Sequence, residues 1–254
     1  MIDESIERYE YHSYEPITGT DLNRPGEIRI NVETQELFTH PSESHLVFDA
    51  MLVKNADDAA YADADVITLI NNAMIHLFNY IKYQLSGQEI ESLFHPGQGT
   101  TMLGLLKFPD DFQKSTGLNQ LWCKDNGTDA SIEGNNQHNG FKIRHEYTIR
   151  KPDPKGTFLF RVPLKHIFGF CDDYEKVVYG FKHQLTLVRK GDNDAIFRAA
   201  AADAGKVVLS KLFWYMPHVL PNDQEKFALY KTIESKSSLP VGYRIIQCDS
   251  ISVS

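Results

Sequence analysis

The chain has 254 residues, 42% apolar and 24% charged, with a formal net charge of −8. This is an ordinary globular balance, and it argues against global disorder, collagen and coiled coil. A domain of this length hides roughly three quarters of its unfolded surface and needs no staple to fold, and an acidic chain argues against broad, non-specific nucleic-acid binding, which requires clustered Lys and Arg.

Residues 1–26 read as an N-terminal arm. Tyr9, Tyr11 and Tyr14 lie among Glu, His and Ser without a period, and Pro16, Gly19, Pro25 and Gly26 punctuate the stretch. Such an arm is either disordered or laid across a neighbouring surface that buries its tyrosines. The first eight residues are acidic and lack the apolar segment of a secretory signal, and no run approaches the ~18 apolar residues of a membrane span. The expected address is intracellular, or a virion-like assembly built in the cell.

From Glu27 the period becomes two. Residues 27–33 alternate strictly, which predicts a strand with Ile28, Ile30 and Val32 on one buried face. His45–Val53 is a second strand. Leu77–Leu85 and Gln88–Leu93 flank Ser86-Gly87 and predict a hairpin. Phe141–Ile149 is rich in strand formers and follows the turn signal Asn139-Gly140; on such a strand His145 shares a face with Phe141 and Ile143. Thr157–Val162, ended by Pro163, then His183–Arg189, Lys206–Tyr215 and Gly242–Val253 complete eight or nine strands. Short helices are expected near Thr101–Leu106, after Asn193 with Ile196, Phe197 and Ala200 on one face, and from Asn222, where Glu225 three residues on supplies a capping-box start. The fold class that follows is all-β, a jelly-roll β-sandwich with two or three short helices in its connections, occupying residues 27–254.

Catalytic motifs fail on inspection. Gly97-Gln-Gly-Thr-Thr-Met-Leu-Gly104 lacks the Lys and Ser/Thr of a phosphate loop and reads as a loop capping a helix. His40, Glu43 and His45 are a conceivable metal set, but they sit in a Pro-Ser-Glu-Ser loop where bystander histidines are the better reading. Asp110-Asp111 and Asp172-Asp173 are adjacent carboxylates, which on a strand point to opposite faces and make a poor acid–base dyad. Asp125–Asp129 resembles part of a calcium loop and reads as a turn, as does the glycosylation pattern Asn126-Gly127-Thr128. Arg144, Arg150, Lys151 and Lys155 form the densest basic stretch, with Phe141 and Tyr147 interleaved. Its prolines and acidic surroundings favour a solvated loop over a nucleic-acid face. Cys123, Cys171 and Cys248 are odd in number and widely spaced, hence three reduced thiols. No catalytic, cofactor-binding or metal residue is assigned, no cofactor is expected, and the chain is not expected to be an enzyme.

Longer strings carry a resemblance. Leu77–Leu85, His95–Gly104, Asn119–Trp122, Pro163–Cys171, Val177–His183, Asp192–Arg198, Trp214–His218 and Gln247–Val253, in this order, resemble the double jelly-roll-like proteins encoded in many animal genomes. Those are similar to the major capsid proteins of Polinton/Maverick-type and adintovirus-like elements. The resemblance implies a structural capsid subunit, active or domesticated, with two jelly rolls side by side. It also implies homotrimers forming pseudo-hexagonal capsomers, other capsid proteins as partners, and no catalytic residues. Such proteins continue past the segment matching Ile251-Ser-Val253 into a second roll, so residues 27–254 are expected to hold the first. The face meant for the second should be an exposed apolar patch, and the Tyr9–Tyr14 arm should order only on assembly. The competing reading is a ligand-binding β-sandwich for carbohydrate or peptide, which would show two or three solvent-facing aromatics beside Asn and Asp on a concave sheet.

Overall fold

Period-two patterning produces eight long strands in the computed structural model, which describes residues 5–17, 19–33, 38–127, 139–235 and 240–249. They are β1 (Ile6–Tyr14), β2 (Gly26–Val32), β3 (His45–Lys54), β4 (Phe78–Leu85), β5 (Gln88–Phe94), β6 (Thr157–Pro163), β7 (His183–Arg189) and β8 (Gly205–Pro221). Their antiparallel pairing is nested. The first strand pairs with the eighth, the second with the seventh, the third with the sixth and the fourth with the fifth. Cross-pairing of β3 with β8 and of β4 with β7 then joins these hairpins into two sheets, β1-β8-β3-β6 and β2-β7-β4-β5. A long hairpin rolled up on itself gives this order, and it is the jelly roll.

The core fills the space between the sheets. Ile28, Ile30 and Val32 are all buried, as their alternation predicts. They share an inner face with Leu185 and Leu187 of β7 and Ile81 and Tyr83 of β4, and the opposing sheet supplies Leu46, Phe48, Ala50 and Leu52 of β3. β8 keeps its apolar side inward by a bulge. Val207 and Leu209 are buried on one parity, Leu212, Trp214 and Met216 on the other, and the register against β3 slips between Leu209 and Lys211. The extra residue restores the inward face where a regular strand would have turned Leu212 to solvent. The β4–β5 hairpin turns at Ser86 and Gly87, both with positive φ (46° and 85°), as a two-residue turn between right-twisted strands requires.

Among the described residues four α-helices lie in the connections, α1 (Ala73–His76), α2 (Pro96–Lys107), α3 (Asn139–His145) and α4 (Gly169–Asp173), and α5 (Asp223–Glu234) follows β8. The Asn222 side chain accepts from Glu225 N at 2.8 Å, the expected cap.

Five sequence expectations are corrected. Phe141–Ile149 is α3 running into a π-turn (Glu146–Arg150), not a strand. Its buried residues are Phe141, Arg144, His145, Thr148 and Ile149, the spacing of one helix face, and that period outweighs the strand-forming composition. His145 therefore stacks on Phe141 one helical turn away, and its Nε2 lies 3.0 Å from Asp65 O. The helix expected after Asn193 is only a 3-10 turn over Asp192–Ala195, and Ile196–Arg198 is a short strand paired with Ile67–Leu69, which satisfies its main chain. The glycine-rich stretch lies inside α2 rather than before it. Residues 242–249 are extended but belong to no ladder, and the rest of that predicted strand lies outside the described residues. The arm residues 6–14 form the strand β1, paired within the chain along residues 214–221 of β8.

Candidate assembly surface

α2 is built the wrong way round for a surface helix. Its glycines face the body: a Cβ at Gly97 would collide with His76, and one at Gly104 would fall inside the Trp122 ring. Without side chains there, the helix backbone settles directly on α1 and on Trp122. Its large apolar residues face outward: Met102 is 55% exposed, Leu103 42%, Leu105 48% and Leu106 87%. An amphipathic helix normally buries these residues.

Beside this face runs the segment 240–249, strapped over the body. Glu91 is a buried carboxylate that accepts Gly169 N at 3.0 Å, Phe170 N at 2.9 Å and Ile246 N at 2.9 Å. Burial raises its pKa even though the three N–H groups favour the anion. Tyr243 OH donates to Ile90 O. The Arg244 guanidinium holds Asp173 at 2.5 Å and Asp172 at 3.0 Å, drawing the Asp173 carboxyl down to about 2. Between strap and helix lies a cleft of about 610 Å³ lined by Met102, Leu103, Leu106, Phe108, Ile245 and Ile246, with Lys107, Asp172 and Arg244 on its rim. Ile245 adds a further half-exposed apolar side chain. An apolar floor with charges at the edge suits a protein surface better than a polar metabolite.

The residues weighed for chemistry are dispersed or internally paired. His40 Nε2 lies 3.0 Å from Ser42 Oγ and 3.2 Å from Glu175 O, Glu43 binds Lys165, and His45 stacks on Tyr215. Among the described residues no group of three or more His, Cys, Asp or Glu is arranged to hold a metal. Asp172 and Asp173 belong to the strap's ion pairs. Asp110 pairs with Lys124 at 3.2 Å. Asp125 is not in a calcium loop but takes two bonds from Arg144. Arg144 itself is fully buried and also donates to Leu69 O and Cys123 O, which removes it from the basic stretch. Arg150 and Lys155 pair with Glu146 and Asp63. Cys123, Cys171 and Cys248 are free thiols, and burial pushes Cys123 up to about 11. No helix among the described residues is long and apolar enough to cross a membrane. The sequence reading found α2 but missed its orientation. The signal was present: three glycines at 97, 99 and 104 among four large apolar residues.

The comparisons agree with this architecture. Residues 142–253 match the family model of the double jelly roll-like domain. That stretch is a little under half of this chain. The fold of the chain is shared with a chain of the Sputnik virophage at a TM-score of 0.60 and 10% identity, over 88% of this chain and 50% of that one. The PBCV-1 protein VP54, fitted into a reconstruction of Sputnik, matches at 0.52 and 10% identity over 90% of this chain and 46% of its own. A chain of the PBCV-1 virus capsid matches at 0.50 and 12% identity, with the same coverages of 90% and 46%. The chain thus spans about half the length of the structures it matches. No curated protein matches it.

Proposed function

We propose that this chain is the first jelly roll of a major-capsid-type structural protein, of the Polinton/Maverick kind or a domesticated relative, and that it works by packing rather than by catalysis. The outward apolar face of α2 carries the reading. Four large aliphatic side chains are held in water by glycines that commit the helix to this orientation. A second roll or a neighbouring subunit is the kind of surface that would cover them. The matched capsid chains, about twice as long, supply room for such a roll in their own sequences. In this reading three two-roll chains close a ring in the virion and other capsid proteins bind around it. The rings lining the cleft are Phe108 and His166, and the cleft lies between α2 and the strap rather than on a concave sheet, which does not favour a carbohydrate-binding module.

Light scattering tests the proposal. The 254-residue chain should self-associate weakly and heterogeneously, and Leu103→Ser with Leu106→Asp should make it monodisperse. Fusion to a second roll should give a discrete trimer visible by negative-stain microscopy. A wild-type chain that stays monomeric at high concentration would sink the reading.

A further inference from the structure

β1 is an unusual strand. Eight of its nine residues are exposed, so it adds almost nothing to the core. In register with β8, Tyr14 lies opposite Trp214, His12 opposite Met216 and Glu10 opposite His218. Trp214, Met216 and His218 are buried, so these even positions of β1 lie on the core side of the sheet. That side of β1 nevertheless carries Arg8, Glu10 and His12, which contact one another at 3.5–3.6 Å and remain in solvent. Main-chain pairing therefore holds the strand, helped by a few ring contacts. Tyr14 OH lies 2.9 Å from His218 Nε2, Tyr9 packs edge-on against His40, and Tyr11 lies 5.4 Å from His45.

The edge it covers is a different matter. Residues 214–221 of β8 are largely buried and belong to the core, so without β1 they would present bare N–H and C=O groups above an apolar surface. The edge needs a strand, but nothing requires that strand to come from the same chain. The connection allows an alternative donor. Asn23 is fixed by bonds to Leu209 N and O. The eight residues 15–22 before it reach roughly 27 Å when extended. Among the described residues, the Pro16–Ile30 bridge, the Ile17 N to Arg29 O bond and the Thr20 turn onto Ile17 O would have to open near β1.

We infer that β1 is exchanged between copies of this chain, each copy's Ile6–Tyr14 completing its neighbour's sheet along residues 214–221. A second copy is the fitting partner because it carries the same strand and the same register, so every pairing lost in one chain is regained in the other. Addition of a foreign strand to the outer edge of β1 is disfavoured by Arg8, Glu10 and His12, since charge at a sheet edge blocks such pairing. The inference rests on the self-assembly reading only in needing copies to meet.

Cysteine pairing decides it. Ser13 and Tyr215 are register partners. Two tagged forms of the chain, Ser13→Cys and Tyr215→Cys, each with Cys248→Ser, are co-expressed and oxidised. Exchange gives a disulfide-linked heterodimer, at least several-fold above the species formed when either variant is expressed alone. Arg8→Cys with Leu220→Cys repeats the test at a second registered pair, in case the loss of Tyr215 disturbs the sheet. If neither pair links across chains, while the corresponding double variants close quantitatively within one chain, exchange is excluded. Larger assemblies without interchain links would overturn exchange alone; interchain links confined to dimers would leave exchange standing and count against the capsid reading.

Discussion

Gly104 shows how one missing side chain sets a surface. Trp122 is fully buried, with Phe108 packed edge-on at 5.0 Å, so its ring has nowhere to move. Alanine favours a helix interior over glycine by about 1 kcal/mol, but a Cβ here overpacks the ring at a cost of about 1–3 kcal/mol. Gly104→Ala should therefore lower Tm by a few degrees despite its better helix propensity, and a rise in Tm by calorimetry would contradict the packing argument. Arg144 is the opposite case, a large buried cation whose bonds to Leu69 O, Cys123 O and Asp125 join three segments. Arg144→Met removes these donors and leaves buried acceptors without partners. The expected loss is about 3 kcal/mol in urea unfolding, and a loss below about 1 kcal/mol would refute it.

Among the elements, the strap at 240–249 depends most on a single group. Glu91 reaches it from β5 and reaches α4 as well, so Glu91→Ala strips the acceptor from three N–H groups at once. Hydrogen exchange at Ile246 should accelerate roughly ten- to hundredfold, since a bond to a charged group is worth about 1.5–3 kcal/mol. Exchange in the β3–β6 ladder of the other sheet should stay unchanged; if both respond alike, the strap is not a separate unit. The β4–β5 hairpin was legible from Ser86-Gly87 between two β-rich runs. α3 was not read correctly, because Phe, Ile, Tyr and Thr at 141–149 suit a strand by composition while their buried positions follow the helical period. The strap could not be foreseen, since its bonds come from Glu91 and Asp173, far away in sequence.

At the scale of the molecule, acid is the stress that the buried imidazoles feel together. Burial is the main cause that holds His45, His76, His166, His183 and His218 down to about 4, from an ordinary value of 6.5. The unfolded chain takes up protons near 6.5 and the folded chain does not until about 4. Stability is therefore complete above 6.5 and is lost as pH falls through that window. Glu91, whose pKa is raised, acts in the opposite sense and offsets part of the loss. His183 is fully buried between Thr39 Oγ1 at 2.8 Å and Tyr83 OH at 2.6 Å, and its share alone is roughly 3 kcal/mol. Tm should fall steadily between pH 6.5 and 4, and the fall should be shallower in His183→Gln. Equal slopes in the two proteins would remove His183 from the account.

The sequence by itself determined the class of the fold, because period-two alternation in β2, β6 and β7 and the Ser86-Gly87 turn are local facts. It also contained the parity change across Ser210-Lys211 that becomes the β8 bulge. The tertiary structure alone decided the nested pairing of first strand with last, since that contact joins residues some 200 positions apart. It alone turned α2 outward, because the reason is the Trp122 ring and the α1 backbone beneath its glycines. It drew Arg144 out of an apparent basic stretch and into the core, where three separate segments supply the acceptors. It also showed that residues 6–14 are a strand, because their partner is a β8 edge that no local pattern in the arm could reveal.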